Sequence, residues 1–227
     1  MTPLEECWRE LKFVSDVSGL NEEGRKILLP IFEEECRERK IRRVKRLLKC
    51  SGIKRIKLLE DFDWKANPKL SREEFMSFAR SKWIDKAMNL ILIGPAGVGK
   101  THLATGLCYK AIQDGHSAAF ISSYDLVSRL KKRSQHKDSL IQYYSSLKVF
   151  CLDELGYLSA SQEEANDIFQ IISKRSEIGA TLVTTNLVPS QWGKIFEAAT
   201  ATAILDRLNM NGVFLTLEGK SYRTKSS

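Results

Sequence analysis

From residue 89 onward, apolar runs of strand length alternate with segments whose apolar positions recur every three or four residues. That alternation predicts βαβ units and a parallel sheet. Strands are expected near 89–93, 117–122, 148–153, 180–185 and 212–217. The helices between them have legible ends. One follows the first strand, with Leu103, Leu107, Ala111 and Ile112 on one face and Gly115 as its C-terminal stop. Another opens at Ser161, which pairs with Glu164 in a capping box; it is expected to bury Ile168, Phe169 and Ile172 and to stop at Gly179. A second box, Ser71 with Glu74, predicts a helix that carries Phe75, Phe78, Ala79 and Trp83 into the first strand. Before residue 60 the pattern changes: charged and apolar residues alternate at helical spacing, with Pro30 interrupting them. Residues 1–57 thus read as an N-terminal helical, basic region. Residues 58–227 read as an α/β domain whose first stretch, 58–70, is a linker.

Charge sharpens the N-terminal reading. The chain carries a formal net charge of +8, which favours polyanionic partners. Eleven basic residues fall between Arg37 and Lys57, with only Glu38 opposing them. On a helix, Arg39, Arg42, Arg43 and Arg46 share one face, and Ile41, Val44 and Leu48 share the other. Two readings fit: a helix docked on its apolar side that offers arginines to DNA phosphates, or a solvated face balanced by Glu33–Arg37, Glu35–Arg39 and Glu38–Arg42 pairs.

Cysteine usage and targeting narrow the setting. The five cysteines are odd in number and widely spaced, without a Cys-x-x-Cys pair, so a reduced chain with buried thiols is expected. The three histidines are isolated, and no zinc site is expected. No basic start precedes an apolar core at the N-terminus, and no apolar run approaches the ~20 residues that cross a bilayer. The expectation is a soluble, cytoplasmic protein.

Chemistry enters at ILIGPAGVGKTHLA, residues 91–104. Gly94, Gly97 and Gly99, with Pro95, Ala96 and Val98 between them, let the backbone curl so that consecutive N–H groups face phosphates. The next helix begins there and adds its positive end. Lys100 is placed to reach β/γ oxygens, Thr101 to offer a hydroxyl to Mg²⁺, and His102 follows directly. His102 also stands where a dinucleotide fingerprint would need its last glycine. A second motif, VFCLDELG at 149–156, ends an apolar strand on Asp153 and Glu154. Asp153 suits the Mg²⁺ shell; Glu154 suits activation of a water for attack on the γ-phosphate. No Asn-Lys-x-Asp base-reading motif is present, since TTNL at 184–187 lacks its lysine and aspartate. ATP and water are therefore the expected reactants. Asn186 ends a strand where it can help position that water. Arg207, after an apolar helical stretch, is either a finger on the nucleotide of an adjacent subunit or a salt-bridge partner of Asp206 or Glu197.

GPAGVGKTHLA, LDELGYL, TTNLVPSQW, ATAILDRL and the closing GKSYR together resemble the IstB family of transposition helper ATPases, AAA+ proteins related to DnaC-type helicase loaders. The likeness covers about residues 58–224 and extends more loosely to EEECRERKIRRVKRLLK. It implies a P-loop AAA+ core with a five-stranded parallel sheet, binding ATP and Mg²⁺ between subunits of a homo-oligomer. Lys100, Thr101, Asp153, Glu154 and Asn186 match the family's nucleotide-site positions, Arg207 matches its arginine finger, and Phe62 lies in a stretch like the linker near the adenine. Trp192 and Phe196 read as core packing. The chain ends soon after the last strand, so no C-terminal lid is expected, and Arg223 is the nearest candidate for a lid arginine. Implied partners are double-stranded DNA, bound without sequence preference, and a cognate transposase. A replicative helicase loader, or a nucleotide-gated DNA scaffold with negligible turnover, are the alternatives.

Overall fold

A computed structural model of the chain describes residues 2–219 apart from 16, 18, 81 and 158. The chain divides into two compact units, residues 1–46 and 47–227.

In the first unit, α1 (Pro3–Glu10) starts at Thr2, whose hydroxyl and the Glu5 carboxylate cap each other's backbone N–H, with Pro3 opening the first turn. Next comes α2 (Glu22–Cys50), which contains Pro30 rather than being interrupted by it. Proline fixes φ near the helical value and forfeits one N–H, and 29 residues of helix tolerate that loss. Trp8, Phe13 and Phe32 form a ring cluster with centroids 4.5–5.4 Å apart.

The second unit opens with the linker and its single 3-10 turn, Trp64–Ala66, followed by α3 (Arg72–Phe78) and α4 (Lys82–Asp85). The expected continuous helix is thus two pieces. Ser71 caps the Glu74 N–H as anticipated, but the Ala79 and Arg80 N–H groups turn back to Met76 and Ser77, tightening the last turn and ending α3. The α/β core follows as β1 (Asn89–Ile93), α5 (Lys100–Gln113), β2 (Ala118–Ser122), α6 (Ser123–Lys132), α7 (Lys137–Ser146), β3 (Val149–Asp153), α8 (Gln162–Arg175), β4 (Ala180–Thr185), α9 (Ala198–Asn209) and β5 (Gly212–Thr216). All five strands fall within a residue of their expected ends. They pair in parallel in the order β2-β3-β4-β1-β5.

Strands covered on both faces read as unbroken apolar runs, and β1 and β3 are buried at every position. Ile91, Ile93, Phe150, Leu152 and Val183 join a core with side chains of α6–α9, including Trp192 and Phe196 from the turn before α9. On the other side α5 packs along the sheet, where Cys108 meets Cys151. Gly115, at φ +85°, ends α5 as expected: its own N–H bonds to Ile112 and the His116 N–H to Ala111.

The expected end of α8 at Gly179 is corrected to Arg175. The break comes from Glu177, held at φ +71°. Gly179 is there for space, since a Cβ would sit 2.7 Å from the Leu147 carbonyl oxygen. Ile171 fills the core beside Ile168 and Ile172, and Phe169 is only partly buried. Arg175, fully buried, donates to the carbonyls of Tyr144, Ser145, Leu147 and Ala180, which satisfies the end of α7. Burial pushes its guanidinium down to about 9.

Candidate functional site

The strand order creates the site. β4 lies between β1 and β3, so the residues after all three strands converge at one edge of the sheet. A cleft of about 580 Å³ opens there, a size that suits a nucleotide. Its walls carry Ala96, Gly97, Gly99, Lys100, Thr101 and His102 from the glycine loop, with Glu154 and Asn186 facing them. The sequence candidates that line a single site are therefore brought together.

Within the loop, Gly97 and Gly99 have φ of +82° and +99°, which a side chain resists. Val98 is buried, and Gly94 and Pro95 present their carbonyls to the Lys100 ammonium at 2.7 and 2.8 Å. At the centre sits Asp153. It accepts from the Thr101 hydroxyl at 3.1 Å and from the Thr184 hydroxyl at 2.5 Å. Burial raises its pKa and neighbouring Glu154 adds to the rise; the two hydroxyls and Lys100 act against it. A hydroxyl beside a desolvated carboxylate is a donor set that fits a hard divalent cation such as Mg²⁺.

Glu154 adopts φ +59°, an uncommon conformation that costs a residue with a Cβ about 1–2 kcal/mol. Three bonds hold it. Its N–H donates to Thr184 Oγ1 at 3.0 Å, and its carbonyl accepts from Ser123 Oγ at 3.0 Å and from the Tyr157 N–H at 3.1 Å. Glu154 is thereby placed among the residues that line the cleft. Asn186 Oδ1 is buried with no hydrogen-bond partner among the described residues. A Cβ at Gly156 would lie 1.8 Å from that oxygen, so only glycine there leaves Asn186 its place.

Thr184 is the main residue that sequence reasoning missed. The available signal was polar: TLVTT places three threonines in a strand buried at all six positions, which is unusual without partners. Asp61, Asp63, Tyr157 and Thr185 also line the cleft. Phe62, 5% exposed, joins them, with its ring edge-on to His102 at 5.6 Å. His102 Nε2 lies 2.6 Å from the Leu58 carbonyl oxygen, binding the linker to α5. Arg207 is not part of the cleft wall. It is half-buried on α9 and makes no ion pair among the described residues, so the expected alternative of a bridge to Asp206 or Glu197 is absent. Arg223 and the GKSYR stretch beyond Gly219 lie outside the described residues.

On α2 one expected pair, Glu35–Arg39, is present, and the other two are replaced among the described residues. Glu35 binds both Arg39, at 2.6 Å, and Arg42, at 3.4 Å, while Arg37 pairs with Glu34. The Arg39 guanidinium holds the Glu35 carboxyl below its ordinary value. Arg43 and Arg46 are exposed and form no ion pair among the described residues. Ile41, expected on a docked side, is 40% exposed. Cys36, Cys108 and Cys151 are buried free thiols. No helix among the described residues is long and apolar enough to cross a membrane.

The IS21 ATP-binding protein of Pseudomonas aeruginosa is 35% identical over 204 residues, 88% of this chain and 77% of that protein. Its IS5376 counterpart in Geobacillus stearothermophilus is 32% identical over 87% of this chain and 80% of its own length. Among solved structures, DnaI superposes with a TM-score of 0.60 at 22% identity, over 73% of this chain and 89% of that one. AMPPCP-bound DnaA from Aquifex aeolicus gives 0.60 at 16% identity, over 71% of this chain and 49% of that one. Those two structures share the fold. The profile of IstB-like ATP binding proteins matches residues 16–227, more than nine-tenths of the sequence, and the chain belongs to that family.

Proposed function

We propose that the protein is an ATPase that assembles on DNA in its ATP-bound state and delivers or activates the transposase of an insertion sequence. The observation that carries this reading is the Thr101–Asp153–Thr184 cluster with Glu154 lining the same cleft. In that reading the loop N–H groups and the start of α5 hold the phosphates, and Lys100 swings from the Gly94 and Pro95 carbonyls to the β/γ oxygens. Thr101 and Asp153 would hold Mg²⁺, which would supply positive charge to offset that of the phosphates. Glu154 takes a proton from the attacking water, and the unpartnered Asn186 Oδ1 accepts a second hydrogen from it, fixing its direction.

Arg207, away from its own cleft and without an ion-pair partner among the described residues, reaches the γ-phosphate of a neighbouring subunit. ATP then bridges two subunits, and hydrolysis loosens the assembly. The basic N-terminal region contacts duplex DNA through phosphates, so binding is independent of sequence and sensitive to salt. Relatives at 30% identity or more are named for insertion sequences, which favours a transposase over a replicative helicase as the partner.

The test compares ATP hydrolysis by wild type and Glu154→Gln, with and without duplex DNA. Slow turnover, raised by DNA and lowered about 10²–10⁴-fold in the variant while ATP binding persists, is expected for loss of a general base. Equal rates in the two proteins would remove Glu154 from this role. Capture of a helicase and no transposase from the host would reassign the partner.

A further inference from the structure

The linker before α3 does more than connect. Leu59 packs so closely on α5 that a Cβ at Gly106 would lie 2.5 Å from its Cδ2, and the Phe62 ring would stand 2.5 Å from a Cβ at Gly99. With the Leu58–His102 contact, the chain from Leu58 to Asn67 is seated on the glycine loop and the first turns of α5. Asn67 is where this strap grips the loop itself. It is 1% exposed, and its Nδ2 donates to the Val98 carbonyl at 3.1 Å.

From this we infer that Asn67 is the positioning residue of the phosphate loop, holding the Val98 carbonyl outward so that the N–H groups on either side of it stay turned to the phosphates. The inference rests on the ATP-binding reading above.

Three observations support it. The partner is a carbonyl, so the amide must present its NH₂; the opposite rotamer would set oxygen against oxygen. Asn67 Oδ1 is consequently left buried with no hydrogen-bond partner among the described residues. An orphaned buried acceptor costs at least as much as one neutral bond returns, so the pair adds little to folding stability. Its backbone is also fixed, the N–H bonding to Trp64 and the carbonyl accepting from Leu70, with Pro68 restricting the turn. The donor is thus delivered to one place by a stretch that has no other freedom. A peptide unit rotated at Val98–Gly99 would aim an oxygen at the phosphates, and repulsion there falls directly on nucleotide affinity.

Two variants of similar size separate positioning from packing. Asn67→Leu removes donor and orphan together, and Asn67→Asp replaces the donor by an acceptor that repels Val98. Both are measured for melting temperature without nucleotide, for ATP and ADP affinity by equilibrium titration, and for KM and kcat. The expected result is ATP and ADP affinity about tenfold weaker in Asn67→Leu, and weaker still in Asn67→Asp. The loss in turnover should fall on KM more than on kcat, and Asn67→Leu should melt no lower than wild type. If wild type binds ATP and Asn67→Leu binds it equally well, the inference fails while the ATP-binding reading stands; so too if affinity falls only in step with the folded fraction. Wild type that does not bind ATP at all would overturn the reading and this inference with it.

Discussion

Asp153 concentrates the conflict between folding and chemistry in one side chain. Burial raises its pKa above the ordinary carboxylate value, so the ionised form destabilises the nucleotide-free fold. That penalty is absent below the unfolded value, grows as pH rises towards the raised folded value, and is complete above it. Asp153→Asn keeps an acceptor for the Thr101 and Thr184 hydroxyls and removes the charge. At pH 7 without nucleotide the variant is expected to melt about 2–4 °C higher, equivalent to roughly 1 kcal/mol in a chain of this size. The gain should shrink towards pH 4, and the added stabilisation by Mg²⁺ and ATP should be lost. Thermal scans at both pH values, with and without Mg²⁺ and ATP, check all three. A lower melting temperature at pH 7 would mean that the carboxylate is held for the fold rather than for a cation.

Among the elements, α2 yields the next prediction because its arginines are not equivalent. Arg39 and Arg42 are already engaged by Glu35, whereas Arg43 and Arg46 are not paired among the described residues. Arg43→Ala and Arg46→Ala should each reduce the slope of log affinity for duplex DNA against log salt by about 1, and Arg39→Ala by less. Equal effects at all three positions would show that the Glu35–Arg39 pair opens on binding. Sequence alone placed these arginines on one face and paired Arg39 with Glu35, but it gave Arg37 and Arg42 other partners, because several glutamates lie within reach along the helix and the rotamers decide. The strands were legible for the opposite reason. Elements buried on both faces leave contiguous apolar runs with sharp polar ends, as in Val149–Asp153 and Ala180–Thr185. The glycine loop was legible because its geometry is local. Thr184 and Asn67 were not: each acts on a residue about thirty positions away, through strand order or a strap that no local spacing encodes. The α3–α4 break and the end of α8 at Arg175, just before Glu177, were missed because backbone turns set them, without a glycine or proline as marker.

At the scale of the whole molecule, the proposed reading joins the nucleotide cleft of one subunit to an arginine that lies outside it, and so predicts a working unit of several subunits. Each active interface then needs Glu154 from one subunit and Arg207 from the next, a head-to-tail arrangement. Mixing Glu154→Gln with Arg207→Ala tests this directly, because each protein alone lacks one half. With random co-assembly on DNA, about one interface in four would carry both an intact Glu154 and a neighbour's Arg207. Two nearly inactive proteins that regain DNA-dependent ATP hydrolysis on mixing, at a comparable fraction of the wild-type rate, are the predicted result. A mixture no more active than its separate components, although the two proteins co-assemble, would contradict it.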